Sequence, residues 1–132
     1  MIVRWLLPCS IVGGFVAHGQ VATAANDTAQ FVEAMRAQGH FDLALEYLDS
    51  VADSRLVNDE FKQRVGYERG LTLLAKWQKT TSATERRRIA KQIAGELKRF
   101  SQANPDSPLA PKAQRQLAIL LSNTATRDIA SL

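Results

Sequence analysis

The chain is poor in the residues that carry metal, redox and nucleophilic chemistry. It contains a single cysteine, Cys9, and two histidines, His18 and His40. A disulfide or a zinc site needs several such residues. The sequence also lacks a glycine-rich loop with phosphate-binding spacing, and it offers no grouping of nucleophile, base and orienting acid. We therefore predict that the protein is not an enzyme and carries no cofactor and no metal.

A long apolar run is also missing. The most hydrophobic segment, 5–17, is interrupted by Pro8 and is shorter than the roughly 20 residues that a membrane-spanning helix needs. Arg4 precedes this segment, and Ala22-Thr23-Ala24 follows with the small-x-small pattern that signal peptidase accepts. The pattern predicts a signal peptide over residues 1–24, so Cys9 leaves with it.

Removal of a signal peptide implies an exported protein, located in the periplasm or outside the cell. We expect no stable membrane insertion after cleavage. The alternative is a tether to the membrane through an uncleaved N-terminal segment.

The charge balance is mildly basic. The chain has 17 Lys and Arg against 13 Asp and Glu, a net charge of +4. Nucleic-acid binding proteins usually concentrate a larger excess on one surface, together with aromatic or polar side chains that read bases. We therefore expect no nucleic-acid partner.

Apolar residues recur at spacings of three and four after Ala25, and no stretch alternates as a strand would. The predicted class is all-α. Five helices are expected. They run from Asn26 or Asp27 to Gly39, from about Phe41 to Asp53, from the cap Asn58 to the break at Thr80, from the cap Ser82 to just before Asn104, and from a first turn at Pro108 or Pro111 to Leu121.

Local signals support these boundaries. Asn58 can cap the third helix, and Ser82 with Glu85 forms a capping box for the fourth. Two glycines, Gly66 and Gly70, lie inside the third helix, where each costs up to about 1 kcal/mol relative to alanine. Close packing of another helix at Gly70 is the expected compensation. Ser122-Asn123-Thr124 is expected to interrupt the fifth helix.

Five residues resemble the hallmark positions of a tetratricopeptide (TPR) repeat. Gly39 and Phe41 match its tight turn, Ala44 and Leu48 match the small and apolar positions of its second helix, and Pro105 matches its closing proline. The resemblance implies antiparallel helical hairpins stacked as a short TPR-like solenoid over residues 25–121. Residues 122–132 would then be an incomplete or frayed C-terminal segment.

The resemblance also implies a function, which is non-catalytic binding of a protein or peptide. In TPR proteins the first helix of each pair lines a concave binding surface. The corresponding candidate positions are Phe31, Met35, Arg36, Tyr67, Leu71 and Leu74. The alternative is a structural role, in which the segment forms the N-terminal cap of a larger solenoid or multidomain protein and binds nothing itself.

Two charged groups of residues leave further alternatives open. Asp42, Glu46, Asp49 and Asp53 lie on one line of the second helix, either as a solvated face or as a site for a basic peptide or a divalent cation. The fourth helix carries Arg86, Arg87, Arg88, Lys91, Lys98 and Arg99. These residues form a solvated face, or they contact the acidic line, an acidic partner, lipid headgroups or nucleic acid.

Trp77 is expected to pack in the core. The alternative is an exposed side chain that anchors a partner.

Overall fold

The computed structural model describes residues 21–130, with side chains from residue 27 to residue 124. Most of the expected signal peptide therefore lies outside the described residues. Within the described part there are five α-helices and no strand, which confirms the all-α prediction. The helices are α1 (Val21–Ala37), α2 (Phe41–Asp53), α3 (Asp59–Lys79), α4 (Ala83–Ala103) and α5 (Ala110–Ala130).

The first turn has the geometry that its glycine predicts. Gly39 takes a φ of +82°, a left-handed conformation that glycine adopts without steric cost. The His40 amide donates to the Met35 carbonyl at 2.9 Å and the Gly39 amide donates to Arg36 at 3.1 Å. This pair of bonds is a Schellman motif, which satisfies the last carbonyls of α1 and sends the chain back into α2.

Two predicted helix ends are wrong. The first helix begins at Val21 rather than at Asn26 or Asp27, because alanines 22, 24 and 25 favour helix and no glycine or proline interrupts them. The fifth helix continues through 122–124 to Ala130. Serine, asparagine and threonine cost only a few tenths of a kcal/mol each inside a helix, and the Thr124 hydroxyl donates to the Leu121 carbonyl at 2.9 Å.

The two predicted caps are confirmed. The Asn58 side chain accepts a hydrogen bond from the Phe61 amide at 2.9 Å, and the Ser82 hydroxyl accepts one from the Glu85 amide at 3.4 Å. The Glu85 carboxylate accepts from Arg88 at 2.8 and 2.5 Å. Both caps lie at helix starts, where the first amides lack partners within the helix.

Helix α3 is the centre of the packing. It contacts α1 and α2 on one side and makes its largest contact with α4, which in turn packs against α5. A first core, shared by α1, α2 and the start of α3, contains Val32, Met35, Ala44, Leu48, Val51, Phe61 and Val65. A second core, shared by α3, α4 and α5, contains Tyr67, Leu73, Trp77, Ile89, Ile93, Leu97, Phe100, Ala113 and Leu120.

Close approach at Gly70 is also confirmed. A Cβ atom at this position would lie 2.4 Å from Leu97 Cδ2, whereas one at Gly66 would lie 3.6 Å from Phe100 Cβ. Gly66 faces Phe100, whereas Gly70, four residues later in α3, faces the earlier residue Leu97 of α4. The two helices are therefore antiparallel.

Candidate functional site

An open groove lies where the end of α3, the first half of α4 and the second half of α5 meet. We call it the basic groove. Its volume is about 640 Å³. Its lining includes apolar side chains, which we call the floor, and cations, which we call the rim. The floor consists of Trp77, Ala83, Ala90, Ala94, Leu120 and Leu121, the rim consists of Arg86, Arg87 and Lys91, and Thr81 and Thr124 complete the lining.

Helical spacing explains how α4 supplies both floor and rim. Ile89 and Ile93 are fully buried against α3, so their neighbours Ala90 and Ala94 lie on the adjacent side of the helix. Because alanine is small, these two positions leave a depression instead of filling the space toward α5. Lys91 follows directly and remains exposed at the edge.

Helix α5 supplies the opposite wall. Leu120 is 2% exposed and belongs to the second core, whereas Leu121 is 55% exposed beside it. Ile119, on a different side of the helix, is 47% exposed. The wall of the groove is therefore partly a solvent-facing apolar surface.

Trp77 forms the inner end of the groove and is 6% exposed, which agrees with its predicted place in the core. The Arg86 guanidinium lies over the indole, 4.2 Å from the ring centroid, an arrangement favoured by the ring quadrupole. Arg86 also donates to the Thr80 carbonyl at 3.3 Å. These two contacts fix one cation of the rim in position.

The rim is uniform in charge. Among the described residues that line the groove, three are cationic and none carries a carboxylate. Apolar floor and cationic rim together suit a ligand that has an apolar stripe flanked by acidic groups. The described lining contains two threonine hydroxyls, Thr81 and Thr124, and no histidine, cysteine or carboxylate beside them.

A second cleft, of about 670 Å³, lies between the start of α3 and the turn from α4 to α5. Its walls include Glu60, Gln63, Arg64 and the segment 104–109, so it carries both signs of charge. Its apolar lining consists of Ala103, Pro105, Pro108 and Leu109, and it offers less apolar surface than the basic groove does. The basic groove is therefore the stronger candidate.

The six positions predicted to line a concave surface have different environments. Met35 and Tyr67 are buried in the first and second cores, 6% and 8% exposed respectively. Leu71 and Leu74 are half-buried and pack against the second core. These four side chains contribute mainly to packing, and the two fully buried ones are not accessible to a partner in this conformation.

The other two candidates, Phe31 and Arg36, lie on α1. Phe31 is 52% exposed, and its ring contacts Tyr47 edge to face with centroids 5.0 Å apart. The Arg36 guanidinium is 2.7 Å from the Glu68 carboxylate. Phe31 is thus the member of the predicted set that presents a large apolar surface to solvent.

The five residues that resemble TPR hallmarks lie in the first turn, in α2 and in the connection from α4 to α5. Ala44 and Leu48 are fully buried between α2 and its neighbours, and Phe41 is half-buried at the first position of α2. Gly39 forms the turn described above, and Pro105 is exposed in the connection from α4 to α5.

The acidic line on α2 is partly used inside the molecule. Lys76 pairs with Asp42 at 2.5 Å, and Arg69 pairs with Asp49. Arg69 also lies 3.6 Å from Glu96 of α4 and so bridges three helices. The acidic line therefore pairs with cations of α3, and Asp42 also shares a cleft with Arg88 of α4 and interacts with it electrostatically.

Several cations of α4 are engaged within their own helix. Arg88 pairs with Glu85, and this hydrogen bond lowers the pKa of the Glu85 carboxyl. Arg99 pairs with Glu96 at 2.8 Å. Both are surface pairs, which contribute little to stability.

Sequence reasoning missed the basic groove because its two walls come from helices that are separate in the chain. One usable signal was present, since Ala90 and Ala94 place small residues on a strongly basic helix. The other wall, Leu120 and Leu121, lies within the predicted fifth helix, but local patterns could not show which of its sides would face α4.

Among the described residues, no group of three or more histidine, cysteine, aspartate or glutamate side chains is placed to hold a metal ion. Within residues 21–130, none of the helices is apolar over a length sufficient to cross a membrane.

Comparisons of the chain with protein-family models, with curated proteins and with solved structures give no match.

Proposed function

We propose that the protein is an exported, non-catalytic protein–protein interaction module built of TPR-like helix pairs, and that the basic groove is its binding surface. The observation that carries this proposal is a groove in which the exposed Leu121 and the half-buried Ala90 and Ala94 lie beside three cations and no carboxylate. A stable fold has no need of such an arrangement at its surface, because apolar area left in water forfeits the free energy of burial.

The helix packing supports the TPR-like part of the proposal. Asp42 and Asp49 of α2 pair with Lys76 and Arg69 of α3, so consecutive helices are antiparallel. Helix α1 also packs against α3, as the first helices of neighbouring units do in a TPR array. A rigid array of this kind presents a preformed surface, which lowers the entropic cost of binding.

The chemistry of the groove defines the partner class. Burial of Leu121, which is 55% exposed, against apolar side chains would drive association, while Arg87 and Lys91 would select an acidic segment and accelerate its encounter. A helical segment with leucines on one face and glutamates beside them fits both requirements. Such helix-in-groove binding is a common mode of peptide recognition.

The intrinsic fluorescence of Trp77 provides a direct test. The chain has two tryptophans, and Trp5 belongs to the predicted signal peptide, so the processed chain contains Trp77 alone. We expect a synthetic helical peptide with a leucine stripe flanked by glutamates to change this fluorescence saturably. The change should weaken as salt screens the charges.

Matched variants make the test specific. Replacing Arg87 and Lys91 by glutamate should abolish the peptide response, whereas the same charge change at Lys98 and Arg115, both exposed and outside the groove, should preserve most of it. A peptide of scrambled sequence should give no saturation. Equal responses from the two double variants would contradict binding in the groove.

A structural role as the N-terminal cap of a larger solenoid is the second candidate. It is favoured by Ile119, which α5 leaves 47% exposed on a different side from Leu121, since a following helix would cover it. Circular dichroism and sedimentation of residues 25–132 distinguish the two functions. A cooperatively unfolding, well-folded chain disfavours the cap, whereas a molten chain that aggregates without defined size supports it.

A further inference from the structure

We infer that the partner in the basic groove is the α1–α2 hairpin of a second copy of this chain, so that copies associate head to tail. This inference rests on the proposed function, because it assigns an occupant to the same groove. The argument depends on charge, on exposed apolar side chains and on the placement of the two surfaces.

Charge is strongly polarised along the helix order. Residues 27–53, which comprise the described part of α1 together with α2, contain six carboxylates and one basic residue, Arg36. Arg36 is itself paired with the buried Glu68. Residues 83–124, which comprise α4 and most of α5, contain eight basic residues and three acidic ones. Residues 27–53 are therefore net acidic and residues 83–124 are net basic, although Asp42 and Asp49 are already paired with Lys76 and Arg69 of α3.

The acidic end also carries the apolar side chains that a groove can bury. Phe31 and Leu43 are 52% and 56% exposed, and Phe31 packs against Tyr47. Leu43 and Tyr47 are four residues apart and share one side of α2, with Glu46 beside them. We call Phe31, Leu43, Glu46 and Tyr47 the acidic face.

This composition matches the groove point by point in chemical type. Aromatic and leucine side chains of the acidic face correspond to the apolar floor around Trp77 and Leu121. Glu46, which is exposed, corresponds to the cations Arg87 and Lys91. Complementary potentials of this kind select the partner and set the rate of association.

The two surfaces lie on different helices and do not overlap. Helices α1 and α2 contact each other and α3, whereas the groove belongs to the end of α3, to α4 and to α5. A contact between unlike surfaces is heterologous and leaves one unused face and one unused groove in each dimer. Further copies can then add to the dimer and form a ring or a filament. Pairing of two grooves would instead bring like charges together, which is unfavourable.

The test is sedimentation velocity of the processed chain over a range of concentrations and salt. We expect reversible self-association that weakens as salt is raised. A groove variant, Arg87→Glu with Lys91→Glu, and a face variant, Leu43→Lys with Glu46→Lys, should each raise the dissociation constant at least about tenfold, because each places like charges in the contact. The control variant, Lys98→Glu with Arg115→Glu, changes the same charge outside the groove and should associate nearly as the parent does.

Mixing the two defective variants is the decisive experiment. The groove variant keeps an intact acidic face and the face variant keeps an intact groove, so the mixture should form a one-to-one dimer that grows no further. All the substituted residues are exposed, and circular dichroism should confirm that each variant remains folded.

Other outcomes overturn the inference. These are a parent chain that stays monomeric at every concentration, a mixture that remains monomeric, or equal loss of association in the groove and control variants. The peptide titration separates this failure from failure of the proposed function. If the parent chain stays monomeric but binds the peptide saturably, the groove remains a binding site and a second copy is excluded as its occupant. If the parent chain neither associates nor binds the peptide, both proposals are wrong.

Discussion

Arg36 of α1 donates a hydrogen bond to the Glu68 carboxylate of α3 at 2.7 Å, and Glu68 is 3% exposed. Arg64 approaches the other carboxylate oxygen at 3.3 Å. The Arg36 guanidinium also lies 3.4 Å from the Thr72 hydroxyl, which is fully buried. A polar cluster thus joins the first helix to the central one and fixes their relative positions.

The first prediction concerns this ion pair. Replacing Arg36 by methionine leaves the buried Glu68 with Arg64 alone, and breaking a buried pair in this way typically costs about 3–5 kcal/mol. We expect a loss toward the lower end of that range, measured by urea unfolding. The double variant Arg36→Met with Glu68→Leu should recover most of the stability, because it removes both charges.

An unchanged midpoint for Arg36→Met would show that Arg64 compensates fully. A double-mutant cycle with the two single variants and the double variant gives the coupling directly. A coupling near zero would contradict the role assigned to this pair.

The second prediction compares three glycines. Gly70→Ala should destabilise the protein by about 1–3 kcal/mol, because its Cβ would lie 2.4 Å from Leu97 Cδ2 and overpacking of a core carries such a cost. Gly95→Ala meets no atom within 4 Å and should stabilise α4 by up to about 1 kcal/mol. Gly66→Ala, 3.6 Å from Phe100, should fall between the two.

Thermal or urea unfolding of the three variants provides the measurement. Gly95→Ala is the matched control, since it makes the same substitution inside a neighbouring helix. Stabilisation by Gly70→Ala would show that Leu97 moves aside without cost and that the close approach of α3 and α4 has no need of glycine.

Much of the fold could be predicted from single residues with strong local preferences. Gly39 predicts its turn because other residues rarely adopt a positive φ, and Asn58 and Ser82 predict helix starts because their side chains accept from free amides. The expected second helix, Phe41–Asp53, has the same bounds in the structure. The start of α1 at Val21 and the end of α5 at Ala130 have no such residues, and both ends were predicted incorrectly.

The candidate site was harder to predict because its residues become neighbours only after the helices pack. Periodicity placed Leu71 and Tyr67 on apolar faces, but it could not separate a core face from a binding face. Tyr67 belongs to the core. Nor could it show that Trp77 of α3 would meet Leu121 of α5. Such tertiary relationships depend on how the helices pack, which local sequence patterns do not determine.

The third prediction concerns processing of the N-terminus. We expect mass spectrometry of the exported protein to give a chain that begins at Ala25. Signal peptidase requires small residues before the cut, so a variant with leucine in place of Ala22 and Ala24 should retain its leader. Leucine in place of Ala34, which is also in α1, is the control and should leave processing unchanged. An intact Met1 in the parent protein would favour the membrane tether instead.

The fourth prediction concerns the ionisation of Tyr67. Burial raises the pKa of its hydroxyl, and the Glu68 carboxylate adds to the shift, while Arg36 and Arg64 oppose it. Since the folded-state pKa lies above the unfolded value, the neutral hydroxyl contributes stability that is complete below the unfolded pKa. That contribution is lost as the pH rises through the folded pKa.

Absorbance titration can measure this shift directly. The chain has two tyrosines, so a Tyr47→Phe variant reports Tyr67 alone, and its midpoint should be higher in the folded protein than in concentrated urea. Tyr67→Phe should correspondingly lose less stability than the parent as the pH rises above about 10, the ordinary pKa of tyrosine. Lysine deprotonation affects both proteins equally, which makes the difference between them specific to the hydroxyl. Equal midpoints in the folded and unfolded states would show that the hydroxyl reaches water and that the second core is open beside Phe100.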